Sequence, residues 1–219
     1  MNSKNLGRPK TDPSRDLKRD LLQTSRQLLD EGGPAALSMR EVARRTDCTH
    51  QAPYHYFENR EAILASLVAD GFDALATCLK EANDLGLAKG GRAALVASAA
   101  AYVDFALTRP GVFRIMFRPE VCDPSRFPSV QASGARARDE LDRLNTIVHG
   151  KNAKATMATI LWAHVHGLAF LLLDGPLAIQ FESASDRTKY LQSVGEQFAD
   201  LILSKAVQSK KKSVARALL

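Results

Sequence analysis

An all-α fold is predicted for this chain by three observations. Apolar residues recur at spacings of three and four along most of its length, and the period-two alternation of strands is almost absent. The longest periodic runs are also closed by glycine or proline pairs, at Gly32-Gly33-Pro34, Gly90-Gly91 and Gly175-Pro176. About nine helices fit this punctuation: a small three-helix N-terminal unit, a long fourth helix, and a larger helical bundle beyond it.

The elements follow in order. Residues 1–14 read as a flexible basic arm, in which Lys4, Arg8 and Lys10 sit around Gly7-Arg8-Pro9-Lys10, an extended segment of the kind that enters a DNA minor groove. Leu17, Leu21, Ser25, Leu28 and Leu29 give the first helix one buried face, ended at Gly32-Gly33-Pro34. Residues 38–60 read SMREVARRTDCTHQAPYHYFENR. Ser38 and Glu41 have capping-box spacing, so a second helix starts at Met39, with Met39, Val42 and Ala43 inward and Arg44 and Arg45 toward water. Asp47 falls where the chain must turn, in a left-handed conformation that Asp tolerates, and Cys48 tucks inward as a small hydrophobe. Thr49 is placed to cap a third helix whose first turn is His50, Gln51 and Ala52, where Pro53 costs one hydrogen bond near the helix start. Two short helices, a tight turn and a polar, aromatic-tipped second helix outline a helix-turn-helix, which sets its second helix in the DNA major groove.

This motif and its flanks resemble the TetR family of bacterial one-component transcription factors. The family's turn, hydrophobe, cap, tyrosine, aromatic, cap and basic positions are held here by Asp47, Cys48, Thr49, Tyr54, Phe57, Asn59 and Arg60, with Asp in place of the usual turn glycine. The resemblance implies that Arg40, Thr49, His50, Gln51 and Ala52 face bases, while Tyr54, Tyr56 and Arg60 hold phosphates; the arm's Lys4, Arg8 and Lys10 are expected to contact phosphates by their charge and position. The chemistry agrees, since Gln pairs with adenine edges, Arg with guanine, an alanine methyl touches thymine, and Tyr and Arg donate to phosphate oxygens.

Asn59 is placed to cap the long fourth helix, which carries Leu64, Leu67, Val68, Gly71, Phe72, Leu75 and Leu79 past the first unit. A fifth helix presents Leu95, Ala99, Tyr102, Val103 and Ala106, stops at Pro110, and is followed by a short apolar segment, 112–117. Pro119, Pro124 and Pro128 make the next stretch an irregular loop. A polar helix over 129–149 leads to Asn152, placed to cap a helix over 153–174, and a last helix spans 185–207. The domains expected are therefore the arm 1–14, a helix-turn-helix unit 15–62, a ligand-binding and dimerisation unit 63–207, and a basic, disordered tail 208–219 with Lys210, Lys211, Lys212 and Arg216.

The helix over 153–174 is apolar nearly all round, so one face is buried in its own domain and another against something else. A second copy is the economical partner, because two recognition helices must meet two half-sites. In TetR relatives the last two helices form a four-helix bundle, which implies an interface of Leu161, Leu168, Leu171, Leu172, Val194, Phe198, Leu201 and Ile202. The runs containing Trp162, His166 and Gly167, and Arg109 to Phe117, resemble a TetR subgroup with a Trp and His-Gly motif in its C-terminal domain. That resemblance implies an apolar pocket of Tyr102, Phe105, Phe113, Met116, Phe117, Trp162, His166 and Phe170, holding a small-molecule effector.

Composition bounds the function. A net charge of +6 and a pI near 9.3 favour polyanionic partners. Cys48, Cys78 and Cys122 are scattered with no CxxC pair, so neither a disulfide framework nor a zinc site is expected. His50 and His55 diverge by roughly 140° on a helix and His164 and His166 by about 200°, so neither pair chelates a metal. No transmembrane run or signal peptide is read, which places the chain in the cytoplasm with no membrane partner. No phosphate loop, HExxH helix, activated nucleophile or carboxylate pair is present, so no enzyme and no cofactor is expected. A ligand-responsive dimeric regulator, a repressor that binds a pseudo-palindromic operator, is the leading expectation. The alternative is an architectural, non-specific DNA-binding dimer without an inducer.

Overall fold

The computed structural model describes the backbone of residues 16–217 and the side chains of residues 16–204. Its regular structure is eight α-helices and four short 3-10 turns, and no strand occurs among the described residues. The all-α class is as the apolar spacing predicts. Eight α-helices stand where about nine were expected, because the third piece is a 3-10 turn rather than an α-helix. The arm with Lys4, Arg8 and Lys10 lies outside the described residues. The chain divides into two compact units between Ile63 and Leu64.

The first unit holds α1 (Leu17–Ala36), α2 (Met39–Arg45), the 3-10 turn Ala52–His55 and the first residues of α3 (Arg60–Leu87). Asp16 caps α1 by accepting from the Arg19 amide at 3.1 Å. Leu21, Thr24, Ser25, Leu28 and Leu29 form its buried face at the expected spacing. Gly32 (φ −142°, ψ 15°) and Gly33 (φ 64°, ψ −164°) break the helix, and Pro34 opens a last turn where its missing N–H is not needed. Leu37, Val42 and Phe57 complete the core, and the buried hydroxyls of Thr24 and Thr46 meet at 3.1 Å between α1 and α2. Thr46 also donates to the Val42 carbonyl at 2.8 Å, so this buried polar pair is satisfied.

The second unit is built from the rest of α3 with α4 (Gly91–Thr108), α5 (Pro110–Met116), α6 (Pro128–His149), α7 (Ala155–Leu173) and α8 (Ala184–Ala217). Helix α4 is central, touching α6, α7 and α8. At one end α3 and α4 come so close that a Cβ on Gly86 would lie 2.3 Å from the Ala94 Cα. Ala94, Leu95, Leu144, Leu161, Ala199 and Ile202 make one core cluster. A second is aromatic and centred on the fully buried Phe113, whose ring lies 5.8 Å from Tyr102 and 5.5 Å from Phe117. Ion pairs tie the helices at the rim: Arg92 to Asp200 at 2.8 Å and Arg114 to Asp174 at 2.7 Å.

Two boundaries and one expected absence differ from the sequence reading. Asn152 ends a 3-10 turn, Gly150–Asn152, and α7 starts at Ala155 behind Lys154 with no side-chain cap, so Asn152 is not its cap. Helix α8 runs to Ala217 instead of stopping at 207, because no glycine or proline follows Gly195 to end it, and its backbone covers most of the stretch expected as an irregular tail. Helices α3 and α7 are each long and apolar enough to cross a membrane, although no such run was read from the sequence. For α7 only 28% of that apolar window is buried inside the subunit, which leaves much of it facing outward.

Candidate nucleic-acid interface and internal cavity

The turn of the helix-turn-helix is fixed by backbone hydrogen bonds. Ser38 caps α2 by accepting from the Glu41 amide at 3.1 Å. The return bond of a capping box is not made, because the Glu41 carboxylate is engaged by Arg44 at 2.8 Å and Arg45 at 2.8 Å. These two guanidiniums lower its pKa to about 2. At the other end, the Cys48 amide donates to the Ala43 carbonyl at 3.1 Å and the Asp47 amide to Arg44 at 3.4 Å, the two bonds of a Schellman motif. That motif needs a left-handed residue, and Asp47 has φ 52°. Asp therefore performs the turn that glycine would, as its position predicts.

Beyond the turn the expected helix is shorter than its sequence suggests. Thr49 has no regular conformation, His50 and Gln51 lie in turn conformation, and the 3-10 turn spans Ala52–His55, with bonds from Tyr54 to Gln51 and from Tyr56 to Pro53. Pro53 has no N–H to reach back to Thr49, so an α-helical ladder starting there lacks its first rung. Thr49 makes no side-chain cap; its carbonyl accepts from the Ala52 amide at 3.0 Å.

Pro53 and Phe57 are buried beneath this turn, which leaves Arg40, Thr49, His50, Gln51, Tyr54 and Tyr56 exposed and Ala52 half-buried. The side chains of His50 and Gln51 lie 3.3 Å apart, nitrogen to nitrogen. Arg60 is used differently from the expectation. Its guanidinium donates to the carbonyls of Leu37, at 2.7 Å, and of Pro34, so it pins the start of α3 to the end of α1 instead of standing free for phosphate. Asn59 caps α3 through the Ala62 amide at 3.0 Å.

The second unit holds a partly open cavity of about 250 Å³. Helix α3 contributes Phe72, Leu75, Leu79 and Asn83, α4 contributes Leu95, Ser98, Ala99 and Tyr102, and α6, α7 and α8 close it with residues that include Leu141, Leu144, Leu161, Trp162 and Phe198. Asn83 is 1% exposed, yet every hydrogen-bonding group on it is matched. It donates to the Glu140 carbonyl at 3.0 Å and carboxylate at 3.0 Å, and accepts from the Ser98 hydroxyl. The Tyr102 hydroxyl lies 2.8 Å from His166 Nδ1 and accepts from the Trp162 indole at 3.2 Å. Burial pushes the Tyr102 phenol up and His166 down, so both are neutral at pH 7.

Of the eight residues expected to line a pocket, Tyr102, Phe117 and Trp162 do. Phe105, Phe113 and Met116 are instead core, at 3%, 0% and 6% exposure. His166 is not in the lining and serves as the partner of Tyr102, and Phe170 is 36% exposed on the outside. The sequence reading missed the α3 and α6 walls. A signal for the first was present, since Leu75, Leu79 and Asn83 fall four apart and put an amide in an apolar stripe.

The residues expected at a dimer interface also divide. Leu161, Leu172 and Ile202 are buried within the subunit, and Phe198 lines the cavity while stacking on His164 at 3.6 Å. Leu168 and Val194 are half-buried, while Leu171 and Leu201 are 45% and 63% exposed. Leu171 continues an outward stripe on α7 made by Ile160, Ala163 and Gly167.

A helix-turn-helix unit followed by an all-helical unit is the architecture of a helical DNA-binding transcriptional regulator. Residues 21–67 match the family described as bacterial regulatory proteins, tetR family, and residues 95–192 match the tetracyclin repressor-like C-terminal domain. The chain belongs to the TetR family of transcriptional regulators.

Two curated relatives, the HTH-type transcriptional regulators Rv1816 of Mycobacterium tuberculosis and Mb1846 of Mycobacterium bovis, are each 33% identical over 92 residues. Those residues are 42% of this chain and 39% of either relative, so the chain matches less than half of their length. A protein of unknown function from Rhodococcus sp. RHA1 is similar with a TM-score of 0.73 and 26% identity, over 91% of this chain and 98% of that one. The TetR family transcriptional regulator PfmR from Thermus thermophilus shares the fold, with a TM-score of 0.62 and 17% identity over 84% and 97% of the two chains.

Proposed function

We propose that the protein is a dimeric, DNA-binding repressor whose hold on a pseudo-palindromic operator is released by a small, mainly apolar molecule in the cavity. The observation that carries the DNA part is the exposed polar surface of Arg40, Thr49, His50, Gln51 and Tyr54, held by the Schellman turn at Asp47. Side chains that donate and accept at base edges stand beside tyrosine hydroxyls able to donate to phosphates, the division of labour that fixes register and then reads sequence. Arg60 is left out of this reading because its guanidinium is already bound to carbonyls.

Dimerisation is supported by the outer face of α7. Ile160, Ala163, Gly167 and Leu171 follow helical spacing, are exposed, and are joined on α8 by the exposed Leu201. A Cβ on Gly167 would meet nothing within 4 Å, so packing inside the subunit does not require a glycine there. Small residues between larger apolar ones let a second helix approach closely, and a two-fold axis pairs the patch with itself. Release then follows from linkage: a ligand that prefers the arrangement unfit for the operator weakens DNA binding by its differential affinity, commonly about 1–3 kcal/mol.

Selection of bound sites from random DNA tests the reading. One two-fold symmetric sequence, bound far more tightly than its scrambled counterpart at the same salt, is expected. Equal affinity for all sequences would instead mark an architectural binder. Sedimentation supplies the oligomeric arm of the test: Gly167→Arg is expected to turn a dimer into a folded monomer.

A further inference from the structure

The cavity wall carries a chemical specification that goes beyond its being apolar. Its charged members are Arg138 and Glu140, and each already has a partner on the protein: Arg138 pairs with Asp142 at 3.7 Å, and Glu140 accepts from Arg143 at 3.2 Å and from Asn83. Asn83 is matched in full, and Ser98 spends its one hydrogen on Asn83, which leaves it acceptor capacity alone. An ion entering the apolar interior would leave water, while the wall's one cation, Arg138, lies at the exposed edge beside Asp142, so desolvating the ion is costly.

At the aromatic end the Tyr102 oxygen is the polar atom with capacity left. It accepts one hydrogen from Trp162, a donor-only group, and shares a second bond with His166. If the phenol proton points at Nδ1, one oxygen lone pair stays open to a donor; if Nδ1 carries the hydrogen, the phenol proton is free for an acceptor. A hydroxyl group, being both donor and acceptor, meets either arrangement.

Shape and size narrow the class further. The α3 wall runs from Phe72 to Asn83, roughly 16 Å along a helix. Phe72 and Phe117 meet at 5.4 Å and Phe117 and Trp162 at 5.8 Å, so an aromatic end with Tyr102 faces away from the Asn83 and Ser98 end. An apolar cavity of ~150 Å³ accepts one benzene ring, so this one holds on the order of ten heavy atoms. We propose that the cavity binds an uncharged, elongated, mainly apolar molecule of about that size whose one polar group is a hydroxyl seated at Tyr102. This rests on the reading of the cavity as the effector site.

A matched series tests it, with 1-decanol, decanoate and decylammonium as probes of one chain length and three charges. Trp162 is the chain's only tryptophan and lines the cavity, so its fluorescence reports binding directly. The expected result is saturable change with 1-decanol and affinity at least tenfold weaker for both ions. Tyr102→Phe is expected to weaken 1-decanol by roughly threefold to tenfold, the value of one hydrogen bond. It should leave the discrimination against decanoate and decylammonium intact. Ala99→Phe, which fills the cavity, is expected to abolish the response in a protein that still melts cooperatively.

Tighter binding of either ion overturns the uncharged class while leaving the cavity as a binding site. Unchanged affinity of a folded Tyr102→Phe protein overturns the hydroxyl at Tyr102. No saturable response to any of the three probes overturns the effector site itself, and the class with it.

Discussion

The Tyr102 hydroxyl and His166 Nδ1 lie 2.8 Å apart, joining α4 to α7 across 64 residues of sequence. The Trp162 indole donates to the same oxygen, so one atom in the cavity wall organises two side chains of α7. His166 in turn packs edge-on against Phe117 at 4.7 Å. A neutral imidazole suits this position, and a charged one does not.

Stability should therefore fall with acid before any carboxylate titrates. Burial lowers the pKa of His149, His164 and His166 below the ordinary 6.5. Lowered values mean that the unfolded chain binds protons first, so the stabilisation is full above about pH 6.5 and is lost as pH falls toward the folded values. Thermal midpoints between pH 8 and pH 5 are expected to decline across that window. A flat profile in the parent protein would count against it, and His164→Leu should flatten the slope in part.

Asp47 is expected to tolerate glycine and reject a branched side chain. At φ 52° a β-branched residue is strained, so Asp47→Val should cost about 1–3 kcal/mol in urea unfolding, whereas Asp47→Gly should lie within about 1 kcal/mol of the parent. Equal stability of the two variants would mean that the left-handed turn does not limit the fold.

Phe113 is expected to be the costliest aromatic to remove. It is fully buried and touches Tyr102, Phe105, Phe117, His166 and Phe170, so Phe113→Ala should destabilise by about 3–5 kcal/mol. Phe170→Ala, at a position 36% exposed, should cost distinctly less in the same denaturation assay.

On DNA, two neighbouring residues should fail in different ways. Tyr54→Phe should weaken binding to every sequence alike, because a phosphate contact carries no sequence information. Gln51→Ala should change which bases are preferred, by about 1–3 kcal/mol at one position of each half-site. Binding titrations against single-base variants of the selected site distinguish these, and uniform weakening by Gln51→Ala would remove it from base reading.

What the sequence disclosed was mostly local. The Ser38 and Asn59 caps, the break at Gly32 and Gly33 and the left-handed Asp47 each depend on a few neighbouring residues, and each is found as read. Where partners come from elsewhere in the chain, the reading thins out. Residue type marks Arg60 as a phosphate ligand, but only the fold brings the Leu37 and Pro34 carbonyls to it. Leu161, Leu172 and Ile202 look like interface residues on helices rich in apolar side chains, because periodicity cannot say which side of such a helix its own subunit covers. Three of the eight pocket residues line the cavity for the same reason: aromatic content signals burial, and burial alone does not separate core from cavity.

The close approach at Gly86 sets what residue 86 can be. With no room for even a methyl group between residue 86 and the Ala94 backbone, α3 and α4 are held at minimum separation beside a cavity that both helices line. A side chain at 86 could be housed only by pushing the Ala94 backbone aside, so the separation of these two cavity walls is fastened at a residue that is not itself in the lining.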